Sequence, residues 1–424
     1  MSKYAIIGFG CAGYHAAKTL RQCCPDSQID IYSKTGDAPA NPMLTTYYVA
    51  GKIPREGQFP FGGKEEVVRT LGVRLFEHTK VKRVHARART VELEDASLHE
   101  YDDIVLATGS TPTVFPIPGR PEKGVYVMRT ADDADRFRER LQQGVGSALV
   151  IGASWVGIKM IEDLRAWHVP GIILADMAPR IFATATMPAA ADEIHAYLEQ
   201  EGVELLFGRG ISSMREEPDG IVSVFNDGTQ VKTDIVALCL GMRACVEYLD
   251  REEIEIGRAV RVNSRMETSV PHIYAAGDCC EAEEVVTGQH MAVNLWANAR
   301  LQGETAAKNI AGIPQKYQGN FLHNIAHFLD MDFIGLGDNR AQGENVTYVS
   351  PEGWRLDMTV KDGRILCVNI LDNRGLSGPM KAIVLKKFAN STDKLNVNEV
   401  VALKNAGLPM EIIRMIEGGN HGNT

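Results

Sequence analysis

The stretch that decides the fold is Tyr4-Ala5-Ile6-Ile7-Gly8-Phe9-Gly10-Cys11-Ala12-Gly13. Its first four residues are apolar or aromatic, as in a buried parallel strand, and they lead directly into three glycines at GxGxxG spacing. Such a turn is too tight for side chains, and the helix that follows presents free backbone N–H groups that can hold a pyrophosphate. The stretch therefore predicts a strand, a turn and a helix that bind a dinucleotide.

A second stretch repeats this pattern. The apolar run Ala148-Leu149-Val150-Ile151 enters the turn Gly152-Ala153-Ser154-Trp155-Val156-Gly157. Ser154 stands where the first turn has its middle glycine, and its side chain slightly crowds a pyrophosphate. One glycine turn is a weak signal because such turns also arise from packing. Two such turns, each between an apolar strand and a helix, predict two bound dinucleotides and electron transfer between them.

The order of the apolar runs predicts an α/β fold with two doubly wound dinucleotide-binding domains and a smaller α+β C-terminal domain. A proline-rich stretch over 111–121 and an apolar strand over 235–241 mark the crossings between the first two domains. We therefore expect the first dinucleotide-binding domain over 1–114 and 240–312, the second over 115–239, and the C-terminal domain over 313–424.

Composition limits the possible functions. The 424 residues carry a net charge of −9 and no long basic run, so nucleic acid is not expected as a partner. No apolar stretch approaches the roughly 20 residues that cross a bilayer, and a strand that starts at Tyr4 leaves no space for a signal peptide. Eight cysteines without CxxC or metal-site spacing indicate reduced thiols. We expect a cytoplasmic protein without a metal site.

Four signals follow one another in a diagnostic order: the turn at 8–13, Ala107-Thr108-Gly109, the turn at 152–157, and Ile273-Tyr274-Ala275-Ala276-Gly277-Asp278. In this order they resemble the FAD- and NAD(P)-dependent pyridine nucleotide–disulfide oxidoreductases over essentially the full chain. The resemblance implies that FAD binds at the first turn and NAD at the second.

The resemblance also implies individual cofactor contacts. Asp278 would hydrogen-bond the ribityl chain or phosphate region of FAD, and the helix near Leu295-Trp296 would direct its positive N-terminus at the flavin. Ser33 stands where the family usually has Glu or Asp for the adenosine ribose, and a hydroxyl can still pair with that ribose. The residues expected to contact FAD or NAD are Gly8, Gly10, Cys11, Ala12, Gly13, Ser33, Lys34, Met43, Val81, Ala107, Thr108, Gly109, Gly152, Ser154, Trp155, Val156, Gly157, Asp176, Gly241, Gly277, Asp278, Leu295 and Trp296.

Three residues are expected at the nicotinamide nucleotide. Asp176 ends the strand that follows the second turn, where a carboxylate accepts from the 2′-OH of NAD and repels a 2′-phosphate. Trp155 falls where relatives carry a Tyr or Phe that covers the flavin until the nicotinamide displaces it, so we interpret it as a gate. Lys159 lies either beside the nicotinamide carboxamide or on a solvated helix face. Trp155 and Lys159 are the catalytic candidates.

The segment Asn41-Pro42-Met43-Leu44-Thr45-Thr46-Tyr47-Tyr48 contains no cysteine. Disulfide reductases of this superfamily carry CxxxxC here, and coenzyme A disulfide reductases and NADH oxidases carry one cysteine. Cys279 and Cys280 follow Asp278, but this position alone does not make a dithiol relay. The chain then resembles the ferredoxin and rubredoxin reductase and nitrite reductase flavoproteins, in which the flavin takes a hydride and exchanges single electrons with an iron–sulfur or similar protein.

Within that branch, the segment Met43–Ile53 and the C-terminal tail are similar to the FAD-bearing epsilon subunits of NAD-dependent phenylglyoxylate dehydrogenases. This implies a subunit that passes electrons between NAD and an iron–sulfur partner in a 2-oxoacid dehydrogenase complex, with the oxoacid chemistry in other subunits. Two alternatives stay open: a stand-alone NADH:ferredoxin or rubredoxin reductase or NADH oxidase, and a flavoprotein scaffold that senses NADH. For an enzyme, nicotinamide C4 is expected roughly 3 to 3.5 Å from flavin N5.

His323 and His327 have i, i+4 spacing, which on a helix could pair them as metal ligands. Asn324 stands where a metalloprotease motif has its glutamate, which excludes that chemistry. We interpret both histidines as interface or surface residues.

Replacing Asp176 tests the nucleotide preference. Asp176→Arg should raise kcat/KM for NADPH relative to NADH by about tenfold or more, because a cation replaces the charge that repels a 2′-phosphate. Steady-state kinetics with both nucleotides measures the ratio, and Asp176→Asn, which removes the charge alone, is the matched control. An unchanged ratio in Asp176→Arg would remove Asp176 from the site.

Overall fold

The computed structural model describes residues 1–389, 392 and 394–417. Its helices are α1 (Cys11–Cys23), α2 (Thr45–Val49), α3 (Lys64–Leu71), α4 (Ala131–Gln142), α5 (Trp155–Ala166), α6 (Pro188–Gln200), α7 (Trp296–Ile310), α8 (Ser377–Ala389), α9 (Val397–Asn405) and α10 (Met410–Glu417). Short 3-10 turns lie at Pro42–Leu44, Arg55–Gln58 and Arg374–Leu376.

The strands are β1 (Lys3–Ile7), β2 (Gln28–Tyr32), β3 (Arg74–Phe76), β4 (Val81–His85), β5 (Thr90–Leu93), β6 (Leu98–Glu100), β7 (Asp103–Leu106), β8 (Ser110–Pro112), β9 (Val125–Tyr126), β10 (Ser147–Ile151), β11 (Gly171–Asp176), β12 (Val203–Phe207), β13 (Ile211–Glu217), β14 (Gly220–Phe225), β15 (Gln230–Thr233), β16 (Ile235–Leu238), β17 (Met242–Ala244), β18 (Val260–Arg261), β19 (Ile273–Ala275), β20 (Cys280–Glu283), β21 (His290–Met291), β22 (His323–Phe328), β23 (Met331–Gly337), β24 (Glu344–Val349), β25 (Arg355–Lys361) and β26 (Arg364–Leu371).

These elements form two compact units. The first comprises Met1–Val114, Val127–Arg140 and Gly241–Asn320. The second comprises Phe115–Tyr126, Leu141–Leu240 and the described residues from Phe321 onward. Each unit has a sheet of parallel strands at its centre.

The first unit is built on a five-stranded parallel sheet in the order β19-β7-β1-β2-β3. Strand β1 is central, and its register with β2 runs from Lys3 opposite Gln28 to Ile7 opposite Tyr32. A central strand that is covered on both faces must be apolar throughout, which explains why this run lacks the alternation of a half-exposed strand. Helix α1 leaves β1 through the first glycine turn and packs against α7, where a Cβ on Gly303 would lie 2.4 Å from the Ala12 carbonyl oxygen.

The second unit repeats the plan and adds a second sheet. Its parallel sheet has the order β12-β11-β10-β16-β9, with β10 central and followed by α5. A five-stranded antiparallel sheet in the order β22-β23-β26-β25-β24 follows, and α8, α9 and α10 come after it in the chain. The predicted α/β fold, with two doubly wound sheets and an α+β C-terminal portion, is confirmed.

Two segments group differently from the domain boundaries expected above. Residues 127–140 belong to the first unit, because Asp135 pairs with Arg55 at 2.8 Å and Arg138 donates to the Tyr48 carbonyl at 2.6 Å. Residues 313–320 also belong to the first unit, where the buried Asn320 accepts from the Tyr317 hydroxyl at 2.9 Å. The division into three domains itself stays a prediction.

The helical interpretation of His323 and His327 is wrong, because both residues lie on strand β22. Four residues along a strand span roughly 13 Å, too far for two ligands of one metal ion. His323 Nε2 lies 3.0 Å from Ser377 Oγ, and burial lowers the pKa of His323 to about 4. His327 Nδ1 lies 2.8 Å from Asp332 Oδ1.

Backbone contacts fix the first glycine turn. Gly8 has φ +112°, and a Cβ there would lie 2.2 Å from the Ala107 carbonyl oxygen on the neighbouring strand. A Cβ on Gly13 would lie 2.1 Å from the carbonyl oxygen of Gly8. Gly10 differs, because no described atom outside its chain neighbours lies within 4 Å of its Cβ position. Two glycines are therefore required for folding, and the third opens a face of the turn.

The second turn has the same construction. Gly152 has φ +111°, and its Cβ would lie 2.3 Å from the Cys239 carbonyl oxygen. A Cβ on Gly157 would lie 2.0 Å from the Gly152 carbonyl oxygen. Both turns therefore have the same two close contacts. The first glycine of each turn lies against a backbone carbonyl from a neighbouring segment, and the last glycine lies against the carbonyl of the first glycine.

Alanine at Gly8 and at Gly10 should have opposite effects. Gly8→Ala places a methyl group inside a backbone carbonyl at positive φ and should lower the free energy of unfolding by about 3 kcal/mol or more. Gly10→Ala should cost the FAD-free chain at most about 1 kcal/mol, while its methyl group fills the open face and weakens FAD binding. Denaturant unfolding without FAD and flavin titration measure the two effects. Equal loss of stability in both variants would contradict this assignment.

Candidate dinucleotide sites

The first candidate site lies at the N-terminus of α1. Gly10 is the N-cap in an extended conformation, and no described side chain caps the helix. The first amides of α1 therefore lack side-chain partners beside the open face of Gly10. Cys11 and Ala12, which follow Gly10, are buried. Free amides, a helix N-terminus and an open face fit a pyrophosphate.

Gly277 and Asp278 lie beside this turn. A Cβ on Gly277 would lie 3.1 Å from the Ala12 Cβ, so the two glycine segments meet. Asp278 Oδ2 accepts from Ser110 Oγ at 2.7 Å and from an Arg129 amino group at 2.9 Å. Its other oxygen, Oδ1, is not used in these two bonds and can accept from a hydroxyl of a bound ligand.

Arg129 is a site residue that sequence reasoning missed. It comes directly before a capping box at the start of α4, in which the Asp133 amide donates to Thr130 Oγ1 and the Thr130 amide donates to Asp133 Oδ2. This cap fixes the backbone that carries Arg129 toward Asp278. The Thr130-Ala131-Asp132-Asp133 motif was the only signal near Arg129 in the sequence. This motif predicts the start of a helix and does not predict a ligand contact.

Strand β7 leads into the Ala-Thr-Gly segment. Thr108 Oγ1 donates to the Cys245 carbonyl at 2.7 Å and lies 3.2 Å from the Tyr248 hydroxyl, and Gly109 has φ +68°. Ala107 and Val81 are buried. Gly241, with φ +93°, accepts from the Thr113 amide at 2.9 Å and therefore begins the segment that returns to this unit.

The N-terminus of α7 is at the expected position. Leu295 is its N-cap and Trp296 its first residue, and no described side chain caps it. Trp296 stacks on Phe61 at a ring distance of 5.8 Å, and Phe61 stacks on Tyr14 at 3.8 Å. The uncapped amides leave the positive end of the helix dipole available to a negative group.

Ser33, expected at the adenosine ribose, and Lys34 and Met43, expected to contact the cofactor, differ in exposure. Ser33 is buried, and its Oγ accepts from the Thr35 amide at 3.3 Å. Lys34 is exposed. Met43 is 62% exposed on the 3-10 turn Pro42–Leu44. The contacts of these residues with FAD stay predictions.

The second candidate site lies at the N-terminus of α5. Ser154 is its N-cap, accepting from the Gly157 amide at 3.3 Å and donating to the Cys239 carbonyl at 3.0 Å. Its hydroxyl is thus turned toward the protein backbone, which relieves the crowding expected from a serine at this position. Val156, in the first turn of α5, is half-buried.

Asp176 ends β11 beside this turn. Its Oδ2 accepts from the Ala153 amide and its Oδ1 from the Ala178 amide, both at 2.7 Å. The two amides hold the carboxylate at the edge of the glycine turn. A carboxylate keeps further lone pairs for ribose hydroxyls, so the geometry fits the predicted role.

Trp155 packs in an aromatic stack within the second unit. Its ring lies 4.2 Å from the Phe182 ring and 5.5 Å from the Phe333 ring, nearly parallel to both. The side chain is half-buried. Its role as a gate stays a prediction.

Lys159 is not on a solvated helix face, so that interpretation is wrong. Its side chain is 17% exposed, forms an ion pair with Glu162, and donates to the His327 carbonyl at 3.0 Å. Because α5 packs on β22 at this point, the cation is held between a buried carboxylate and a strand carbonyl. A role at the nicotinamide carboxamide stays a prediction.

All eight cysteines are free thiols. Cys11, in the first turn, is buried, and burial raises its pKa to about 12. Burial also raises the pKa of Cys279 and of Cys280, which follow Asp278. The thiols nearest the first turn are therefore protonated at neutral pH and poor nucleophiles.

Among the described residues, no group of three or more His, Cys, Asp or Glu side chains is arranged to hold a metal ion. The same part of the chain contains no helix that is long and apolar enough to span a membrane.

Comparison with known proteins agrees with this geometry. Residues 2–303 match the family described as pyridine nucleotide-disulphide oxidoreductase. The chain is 28% identical to an NADH oxidase of Methanocaldococcus jannaschii, over 78% of this chain and 75% of that protein. It is 26% identical to the epsilon subunit of NADH-dependent phenylglyoxylate dehydrogenase of Aromatoleum evansii, over 82% of each.

A solved structure has the same fold. The water-forming NADH oxidase of Lactobacillus brevis superimposes with a TM-score of 0.85 at 21% identity, over 98% of this chain and 99% of that one. The predictions of the superfamily, of its ferredoxin reductase-like branch and of the cofactors FAD and NAD are confirmed. The chain belongs to the pyridine nucleotide-disulphide oxidoreductase family and is an FAD-dependent NAD(H) oxidoreductase.

Proposed function

We propose that this chain is the FAD-bearing subunit that passes electrons between NAD(H) and an iron–sulfur partner in a 2-oxoacid dehydrogenase complex of the phenylglyoxylate type. The observation that carries the proposal is the lack of a thiol in the segment 41–48, where disulfide-dependent members of the superfamily have a redox-active cysteine.

The segment 41–48 is folded and ordered by its own hydrogen bonds. Asn41 Oδ1 accepts from the Met43 amide at 3.0 Å, and Thr45 Oγ1 donates to the Pro42 carbonyl at 2.7 Å before α2 begins. Hydroxyl, phenol and thioether groups there cannot form the disulfide that stores two electrons in a dithiol enzyme. The protonated thiols of Cys11, Cys279 and Cys280 do not replace it.

The residues of the first unit then have positioning roles. The open face of Gly10 and the amides of α1 would hold the FAD pyrophosphate, and Asp278 would orient the ribityl chain. When bound, FAD would supply the conversion between the single electrons of an iron–sulfur partner and the hydride carried by NAD(H). The uncapped N-terminus of α7 would stabilise negative charge on the reduced flavin. Asp176 would select NAD in the second unit.

The similarity to the relative from Aromatoleum evansii, which is the epsilon subunit of a dehydrogenase, supports this kind of partner. The similarity extends over 350 residues, which is 82% of each chain. A flavoprotein without its own thiol acceptor needs another protein to take or supply single electrons. An iron–sulfur subunit meets that need.

The alternative is a stand-alone enzyme, either an NADH oxidase or an NADH:ferredoxin or rubredoxin reductase. The similarity to the NADH oxidase of Methanocaldococcus jannaschii favours it. In that case the flavin would be reoxidised by oxygen or by a small carrier protein that binds transiently.

Intact-mass analysis of the native assembly separates these proposals. The chain carries an affinity tag, is expressed at its natural level in its own cell and is purified without oxygen, with untagged cells as the control. We expect it to co-purify in stoichiometric amounts with iron–sulfur-containing subunits and to reduce NAD when a 2-oxoacid is supplied. Isolation of the chain alone or as a homo-oligomer, with rapid NADH turnover by oxygen, would contradict the subunit role.

A further inference from the structure

The first unit contains a surface cavity that the dinucleotide sites do not use. Its volume is about 610 Å³, and β4 and the segment 243–258 form its walls. The lining residues are Lys82, Arg83, Arg243, Ala244, Val246, Glu247, Tyr248, Leu249, Asp250, Arg251 and Arg258. None of them belongs to either glycine turn. The volume is in the range of pockets that hold a small molecule.

The lining is strongly cationic in a chain whose net charge is −9. Five basic side chains face two carboxylates, and each carboxylate is already paired within the lining. Asp250 pairs with Arg83, and Glu247 pairs with Arg243. Lys82 pairs with Glu92, outside the lining, at 2.7 Å. The positive charge of the cavity that no described carboxylate neutralises is therefore that of Arg251 and Arg258.

Arg251 and Arg258 carry this excess at one side of the cavity. Arg251 Nη1 donates to the carbonyls of Ile256 at 2.9 Å and Gly257 at 3.4 Å, which places its guanidinium against the backbone that leads into Arg258. Glu281 binds the Arg258 backbone amide at 2.9 Å and not its side chain. Within the described part of the chain, neither guanidinium forms an ion pair with a carboxylate. Both residues line the cavity, and two cations without a carboxylate partner favour the binding of an anion there.

We propose that this cavity binds a phosphorylated small molecule of about nucleotide size. Four of the five cations are arginines, whose planar forks match phosphate oxygens in pairs. The remaining walls, from Ala244, Val246 and Leu249, supply apolar surface for the organic part of the ligand. A concave site of this volume suits a small molecule better than the acidic surface of a protein, which needs a broader and flatter area.

Calorimetric titration with inorganic pyrophosphate tests the site. The full chain is used with FAD bound and with NAD in excess, so that both glycine turns are filled. We expect saturable binding to the wild type and a loss of about tenfold or more in affinity in the double variant Arg251→Ala/Arg258→Ala. The double variant Arg261→Ala/Arg265→Ala removes the same charge from exposed positions of the same unit outside the cavity and should bind as the wild type does.

Two results would overturn the proposal. One is equal affinity in the wild type and the cavity variant, or an equal loss in the control variant. The other is binding of an oligoglutamate peptide without binding of pyrophosphate, which would identify the cavity as a docking point for an acidic protein. If the alanine variant fails to retain FAD, Arg251→Gln/Arg258→Gln removes both charges but keeps a shorter polar side chain, and it gives the same comparison.

Discussion

The structure depends on a close approach between the α-carbon of a glycine and a backbone carbonyl of the neighbouring strand. At Gly8 the partner is Ala107, and at Gly152 it is Cys239. This contact forces the chain to turn at the end of the central strand and to start a helix with its amides uncovered. The second contact, between the last glycine and the carbonyl of the first, sets the helix close to its strand. The two dinucleotide sites are thus consequences of backbone packing, repeated once in each unit.

Around these turns the protein supplies position and charge, while the cofactors supply the electron chemistry. Asp278 is held by Ser110 and Arg129, and the α7 N-terminus is left without a described side-chain cap. The buried thiols near the first turn have raised pKa values and remain protonated. A polar binding site without a reactive thiol is consistent with a flavin that exchanges electrons with another protein.

Much of the fold follows from sequence because its strands are short, apolar and followed by glycine. Strand β1 and the helices after both turns lie where their patterns place them. Arg129 could not be found in this way, because its ion pair with Asp278 joins residues far apart in the chain and follows from a helix cap. The strand at His323 was missed for a related reason, since spacing alone does not distinguish a strand paired with β23 from a helix. The environment of Lys159 was only partly readable, because its carboxylate partner Glu162 lies three residues along the same helix but its carbonyl partner His327 is distant in the chain.

In the function proposed above, the flavin is the redox centre of this chain and no thiol shares electrons with it. Anaerobic reductive titration of the FAD-loaded protein with dithionite, followed by flavin absorbance and calibrated by released FAD, tests this most directly. We expect uptake of two electrons per FAD, with a single phase of flavin bleaching. Uptake of four electrons per FAD, with a lag before the flavin bleaches, would reveal a second two-electron acceptor and contradict it.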